Sequence, residues 1–188
     1  MDEQALLNKI AAKDEEAFKL FVEKYHQMVL NVCNNILNSY DDAMDVSQEV
    51  FIKIYESIEY FRGDSKISTW LYRISVNKSL NYLRSRKRQN WFTGFDLIFD
   101  NQKDNNLEDD GLKPGENLEE NENKKALYYA LSKLPKKQNI ALTLNHFEDL
   151  PYKEIAEIME IPVSEVGVLI NRGKKKLKKI IVEYFDKN

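Results

Sequence analysis

Apolar residues recur at intervals of three and four through most of this chain. From Phe18 the series Phe21, Val22, Tyr25, Val29, Val32, Cys33 and Ile36 keeps helical spacing. Asp14 stands ahead of it, where a carboxylate caps a helix, and Glu15 and Glu16 suit the dipole. The pattern breaks around residues 39–42, where a second helix begins. Its stripe is Val46, Val50, Ile54 and Ile58, widened by Ala43, Phe51 and Tyr55. A turn with Gly63 follows, and Ser68 or Thr69 can cap a third long helix. In that helix Tyr72, Val76, Leu80 and Leu83 form one stripe, expected to face the core. Trp70, Asn77, Asn81, Arg84 and Arg88 cluster on another face.

Residues 91–123 lose the pattern. WFTGFDLIF opens the segment with aromatic residues that can dock on a folded neighbour. DNQKDNNLEDDGLKPGENLEEN follows, too polar to bury much apolar area, and reads as a mobile linker. Helices resume near Asn123. Leu127, Leu131 and Leu134 lead to Pro135, and Ile140, Ala141, Leu144 and Phe147 make the next stripe. PYKEIAEIMEI is a short helix, PVS a turn, and SEVGVLINRGKKKLKKIIVEYF a long final helix. No strand pair and no regular repeat appears. The fold class is all-α: residues 1–90 and 124–188 form two small helical domains, joined by 91–123.

Charge sharpens this division. The net charge of −3 gives no bulk basicity, but it averages unlike blocks. Residues 1–90 carry 13 basic and 13 acidic side chains, residues 91–123 carry 2 and 10, and residues 124–188 carry 13 and 8. A neutral block, an acidic connector and a basic block fit two folded units with different partners. Cys33, the single cysteine, excludes a disulfide framework and a thiolate zinc cluster, and its place on an apolar stripe suits a small buried hydrophobe. MDEQALLNKI lacks a cationic n-region, and no run approaches about 18 apolar residues. A soluble, intracellular protein is expected.

The last two helices fit a helix-turn-helix. Ile155 and Ala156 lie in the first helix, Met159 and Ile161 near the turn, and Val166 and Leu169 in the second. Glu160 stands where a turn glycine is common. In the final helix Val166, Leu169, Ile170, Gly173, Leu177, Ile180 and Tyr184 make the buried stripe. Ser164, Glu165, Gly167, Val168, Asn171, Arg172, Lys174 and Lys175 remain outside, and the early part of such a helix reaches base edges. The run from Lys174 to Lys179 suits phosphates, or complements the helix's own dipole. The second helix places Asp41, Asp42, Asp45, Gln48, Glu49 and Glu56 opposite its stripe, with Ile52 among them. That is either a solvated face or an acidic rim around an apolar centre, suited to a basic partner helix.

Three stretches together are more specific than any one. DAMDVSQEVFIKIY, then FRGDSKISTWLYRISVNKSLNYLRSRKR, then LPKKQNIALTLNHFEDLPYKEIAEIMEIPVSEVGVLINRGKKKL resembles the extracytoplasmic-function (ECF) group of bacterial sigma factors. The D-x-x-D-x-x-Q-E-x-F and W-L-Y-R-I-x-x-N patterns carry most of the resemblance. It implies sigma region two in 1–90, a flexible acidic linker, and a helix-turn-helix sigma region four in 124–188. It implies a cytoplasmic, cofactor-free, non-enzymatic protein that binds core RNA polymerase and directs it to promoter DNA. Asp42, Asp45, Gln48 and Glu49, with Ile52 added on its position, would meet the β′ clamp helices. Region four would dock on the β flap, and the linker would run toward the active-site cleft. An anti-sigma partner is common in the family.

The same resemblance assigns promoter melting to the loop Phe61, Arg62, Gly63, Asp64, Ser65 and Lys66 with Asn77, which would receive a flipped −10 base. Extruding a base costs a few kcal/mol, and stacking returns about 1–3 per base. Arg84, Arg86 and Arg88 would hold nearby phosphates. Trp70 is read as a packing residue rather than a stacking platform. One departure stands out. The family's recognition helix often carries a cation after the valine, whereas this chain has Val166-Gly167-Val168-Leu169. The remaining −35 contacts then fall on Asn171, Arg172 and Lys174, with readout leaning on DNA shape and backbone. The competing reading is a helix-turn-helix regulator acting without polymerase, which would need neither the acidic helix nor the melting loop. A nuclease with a DNA-binding tail is a third class, unsupported by any catalytic motif.

Overall fold

The structure is a computed structural model that describes residues 3–61, 63–93 and 118–186. Among these residues all regular structure is helical. Helix α1 spans Glu3–Ala11, α2 Glu15–Leu37 and α3 Tyr40–Ser57, followed by a 3₁₀ turn at Ile58–Tyr60 and by α4, Ile67–Thr93. The second set is α5 (Leu118–Ser132), α6 (Lys136–His146), α7 (Tyr152–Met159) and α8 (Val163–Phe185). Arg62 and residues 94–117 lie outside the described residues, as do the side chains of the aromatic opening at 91–99.

Local chemistry sets the helix ends. The Asp14 carboxylate accepts the Ala17 amide at 2.9 Å to start α2, and Asn38 ends it in the left-handed region at φ 55°. Ser39 then opens α3 by accepting from the Asp42 amide at 3.3 Å. Expected boundaries shift in three places. Helix α4 begins at Ile67, so Ser68 and Thr69 lie inside it rather than capping it, and Thr69 is buried. The expected connector 91–123 is helical at both ends, since α4 reaches Thr93 and α5 starts at Leu118. Helix α1 was not anticipated, although Leu6, Leu7 and Ile10 have the right spacing and are buried.

Two apolar clusters hold the molecule. The first joins α1, α2, α3 and α4 through Ile10, Phe21, Val29, Cys33, Val50, Ile54 and Leu71. Burial in this cluster pushes the Cys33 thiol up to about 11, so it stays protonated at neutral pH. The second cluster contains Leu131, Ile140, Leu144, Ile155, Val166 and Ile170 from the C-terminal helices. Val32 and Ile36 of α2 and Tyr72 and Val76 of α4 belong to it as well. The α4 stripe expected to face the core therefore does so, but the core is shared with α5–α8. Leu71 and Ile67 supply the first cluster from a neighbouring face of α4. Its small buried Ser75 and Ser79 also lie inward. Beside the second cluster the buried Asn139 is held at both ends of its amide: its nitrogen donates to the Leu131 carbonyl at 3.0 Å and its oxygen accepts from Thr143 at 3.2 Å.

Candidate nucleic-acid and partner-binding faces

The acidic face of α3 is only partly free. Asp45, Gln48 and Glu49 are exposed, and Ile52 is 58% exposed among them. Asp42 turns inward. It accepts from the Tyr82 hydroxyl at 2.6 Å and pairs with Arg86 at 2.8 Å. The Asp42 hydrogen bond, with burial second, pushes Tyr82 up to about 12. Glu49 pairs with Lys78 of α4 at 3.0 Å. The two helices thus meet through an acid–base seam, leaving Asp45, Gln48 and Ile52 as the outward part of the expected partner surface. Arg86 faces this seam, and Arg84 and Arg88 are exposed on the stripe of Asn77 and Asn81. Arg84 donates to the Asn81 side chain at 3.3 Å.

The loop before α4 folds around Gly63, whose φ of +77° strains any residue with a Cβ. Phe61, Gly63, Ser65 and Lys66 line a cavity of about 270 Å³. Phe61 leans on Trp70 with ring centroids 5.2 Å apart, and Trp70 packs against the first cluster. Trp70 is thus a support for Phe61. Asn77 does not line this cavity. It lies ten residues into α4, about 15 Å along the axis from the helix start.

In the C-terminal set α7 and α8 form the helix-turn-helix. The turn residue Glu160 adopts φ 55°, the conformation a glycine would take more easily. Ser164, Val168, Asn171, Arg172, Lys174 and Lys175 are exposed on one side of α8, and Val166, Ile170 and Gly173 are buried on the other. Glu165 is half-buried and tied to Lys137 of α6 at 3.3 Å. Gly167 is half-buried beneath Tyr152, whose ring lies 3.5 Å from where a Cβ would be. A close crossing explains Gly173: a Cβ there would stand 2.7 Å from Leu142 of α6.

Polar contacts join α4 and its loop to the helix-turn-helix. The Tyr72 hydroxyl donates to Glu148 at 2.8 Å, Lys66 pairs with Glu154 at 2.6 Å, and Arg73 donates to the Glu157 carbonyl at 3.0 Å. Arg73 also approaches Glu160 at 4.0 Å. Burial raises Glu148 above the usual carboxylate range, against the lowering effect of the Tyr72 hydrogen bond. Among the described residues no cluster of His, Cys, Asp and Glu could hold a metal, and no helix is long and apolar enough to cross a membrane.

Comparison with known proteins decides the family. The sigma-70 region 2 family matches residues 21–89, and the sigma-70 region 4 family matches residues 124–177. The RNA polymerase sigma-H factor of Pseudomonas aeruginosa is 34% identical over 182 residues, covering 95% of this chain and 93% of that protein. The ECF RNA polymerase sigma-E factor of Escherichia coli K12 is 34% identical over 180 residues, covering 93% and 92%. This chain belongs to the ECF sigma factors. A solved complex of the sigma factor RpoE with the anti-sigma factor NepR from Bartonella quintana shares its fold, with TM-score 0.69 over 87% of this chain and 96% of that one at 18% identity.

As a sigma factor the protein gives core RNA polymerase its promoter recognition, and α1–α4 and α5–α8 contain its regions two and four. Sequence reasoning missed the residues that work across elements. Tyr82 and Lys78 fall on α4 positions whose carboxylate partners lie on α3, 40 and 29 residues away. Glu148 and Tyr72 are 76 residues apart. None of these three pairings leaves a periodic trace.

Proposed function

We propose that this sigma factor engages the polymerase through the exposed part of α3 and the promoter through α4, its preceding loop and α8. The observation that carries this reading is Ile52. It is a large apolar side chain left exposed, with Asp45, Gln48 and Glu49 on the same helix. An apolar centre in an acidic rim suits a basic helical partner, and the sigma-factor resemblance points to the β′ clamp helices in that role. Asp42, bonded to Tyr82 and Arg86, orients α4 against α3 and holds Arg86 beside the seam. The loop from Phe61 to Lys66 receives an extruded −10 base, the Asn77–Asn81–Arg84–Arg88 stripe tracks the strand beyond it, and Arg86 joins them when Asp42 releases it.

On the −35 side, Asn171, Arg172, Lys174 and Lys175 hold DNA, with Ser164 and Val168 nearest the base edges. Gly167 sits under Tyr152 and offers no side chain for readout, so backbone contact and DNA shape carry more of the specificity. Region four docks on the β flap, and the linker runs between the two units. The protein acts in the cytoplasm and catalyses no reaction itself. The RpoE–NepR likeness supports an anti-sigma partner here as well. A regulator acting without polymerase is not favoured, because it leaves the α3 face unused.

Transcription in vitro from a promoter library tests this reading. Bacterial core enzyme should initiate specifically only with this chain added. Specific DNA binding by the chain with no gain in initiation would support the regulator instead.

A further inference from the structure

We propose that α1 forms the second wall of the −10 base pocket, and that Glu3 and Gln4 read the amino-bearing edge of the base that enters it. This rests on the reading of the Phe61–Lys66 loop as the receptor for a flipped base. The cavity beside that loop is closed on its other side by Glu3, Gln4 and Leu7. Its volume of about 270 Å³ leaves room for a single nucleobase. Buried Leu7 and Ile67 give it an apolar floor. Polar groups surround that floor, an arrangement suited to a flat ring with hydrogen-bonding edges.

Glu3 is fixed in place. Its Oε1 accepts from the Tyr25 hydroxyl at 2.6 Å and from Lys24 Nζ at 3.0 Å. These bonds, Tyr25 first and Lys24 second, hold its carboxyl below the usual range. Both fall on one oxygen, so the other keeps its acceptor capacity. Gln4 donates its amide to Asn8 at 3.2 Å and retains its carbonyl as an acceptor. Two acceptors favour a base edge that carries an exocyclic amine, as cytosine, adenine and guanine do, and disfavour thymine, which has none. Lys24 offsets the Glu3 charge, and Lys66 on the opposite wall suits the phosphate of the same nucleotide.

The test is transcription by the full chain with bacterial core enzyme from promoters randomised across the −10 element, comparing wild type with Glu3→Gln, Gln4→Ala and Phe61→Ala. Wild type should disfavour thymine relative to the three amine-bearing bases at one −10 position. Phe61→Ala should alter preference at that position. Glu3→Gln and Gln4→Ala should lower discrimination there by about tenfold, with the other −10 positions and the −35 element unchanged. If Phe61→Ala shifts a −10 preference while both α1 variants leave it intact, the inference is overturned and the loop reading stands. If Phe61→Ala shifts none, both fail. A uniform loss of transcription in Glu3→Gln would make Glu3 a strut for α1 and overturn the inference.

Discussion

Glu160 shows how a single residue trades local conformation against a longer contact. At φ 55° it pays the left-handed cost of a residue with a Cβ, and it gains only a 4.0 Å approach to Arg73. An exposed pair of that kind contributes about 0–1 kcal/mol. Glu160→Gly should therefore stabilise the protein by about 0.5–1 kcal/mol, measured by urea unfolding, and a loss of stability would mean that the Arg73 contact outweighs the strain. The sequence marked this position as a turn that usually holds glycine, so the strain was legible. The partner was not, because Arg73 lies on α4, in another part of the chain. Asp42 is similar: its place on an acidic face was readable, whereas its inward turn toward Tyr82 and Arg86 depends on α4 packing beside it.

At the scale of elements, α6 and α8 show a glycine that must be glycine beside one that need not be. A Cβ at Gly173 would stand 2.7 Å from Leu142, which is 1% exposed and has little room to move. Overpacking of this kind costs about 1–3 kcal/mol, more than the roughly 1 kcal/mol of helix propensity that alanine adds. Gly173→Ala should lower the melting temperature. At Gly167 the nearest atom is an ordinary 3.5 Å away, so Gly167→Ala should raise it. Calorimetry on the two variants checks both signs, and equal signs would refute the assignment. Helices α2 to α8 were readable because apolar residues recur at helical spacing in each, most strongly in α2, α3, α7 and α8. What periodicity could not supply was the partner of each stripe. Tyr72 and Val76 read as core positions on α4 and are so, but only the fold shows that they pack with Ile155, Val166 and their neighbours. The cavity wall on α1 was illegible for the same reason: residues 3–7 meet residues 61–67 only after folding.

In the whole molecule, regions two and four share an apolar cluster and are pinned by Tyr72–Glu148 and Lys66–Glu154. Lys66 belongs to the loop proposed to receive the −10 base, so DNA binding there would exchange the Glu154 carboxylate for a phosphate. Glu148 makes this contact pH-sensitive. Its folded pKa is raised, chiefly by burial, so the native state holds its proton more tightly than the unfolded chain. The stability it adds is present below the ordinary carboxylate pKa and is lost as pH rises through the raised value. As pH rises above the ordinary carboxylate pKa, wild type should lose stability relative to Glu148→Gln, which cannot ionise. Parallel denaturation curves across that range check the sign; an unchanged difference would place Glu148 in solvent.

The central claim is that the exposed part of α3 binds the polymerase independently of DNA recognition. Asp45 is exposed on that face, unlike Asp42. Equilibrium binding of labelled chain to bacterial core enzyme tests it most directly. Asp45→Lys puts a cation against a basic partner, and its affinity for core should fall at least tenfold, about 1.4 kcal/mol or more, while promoter-DNA binding by the free chain stays unchanged. Core affinity equal to wild type would contradict the account.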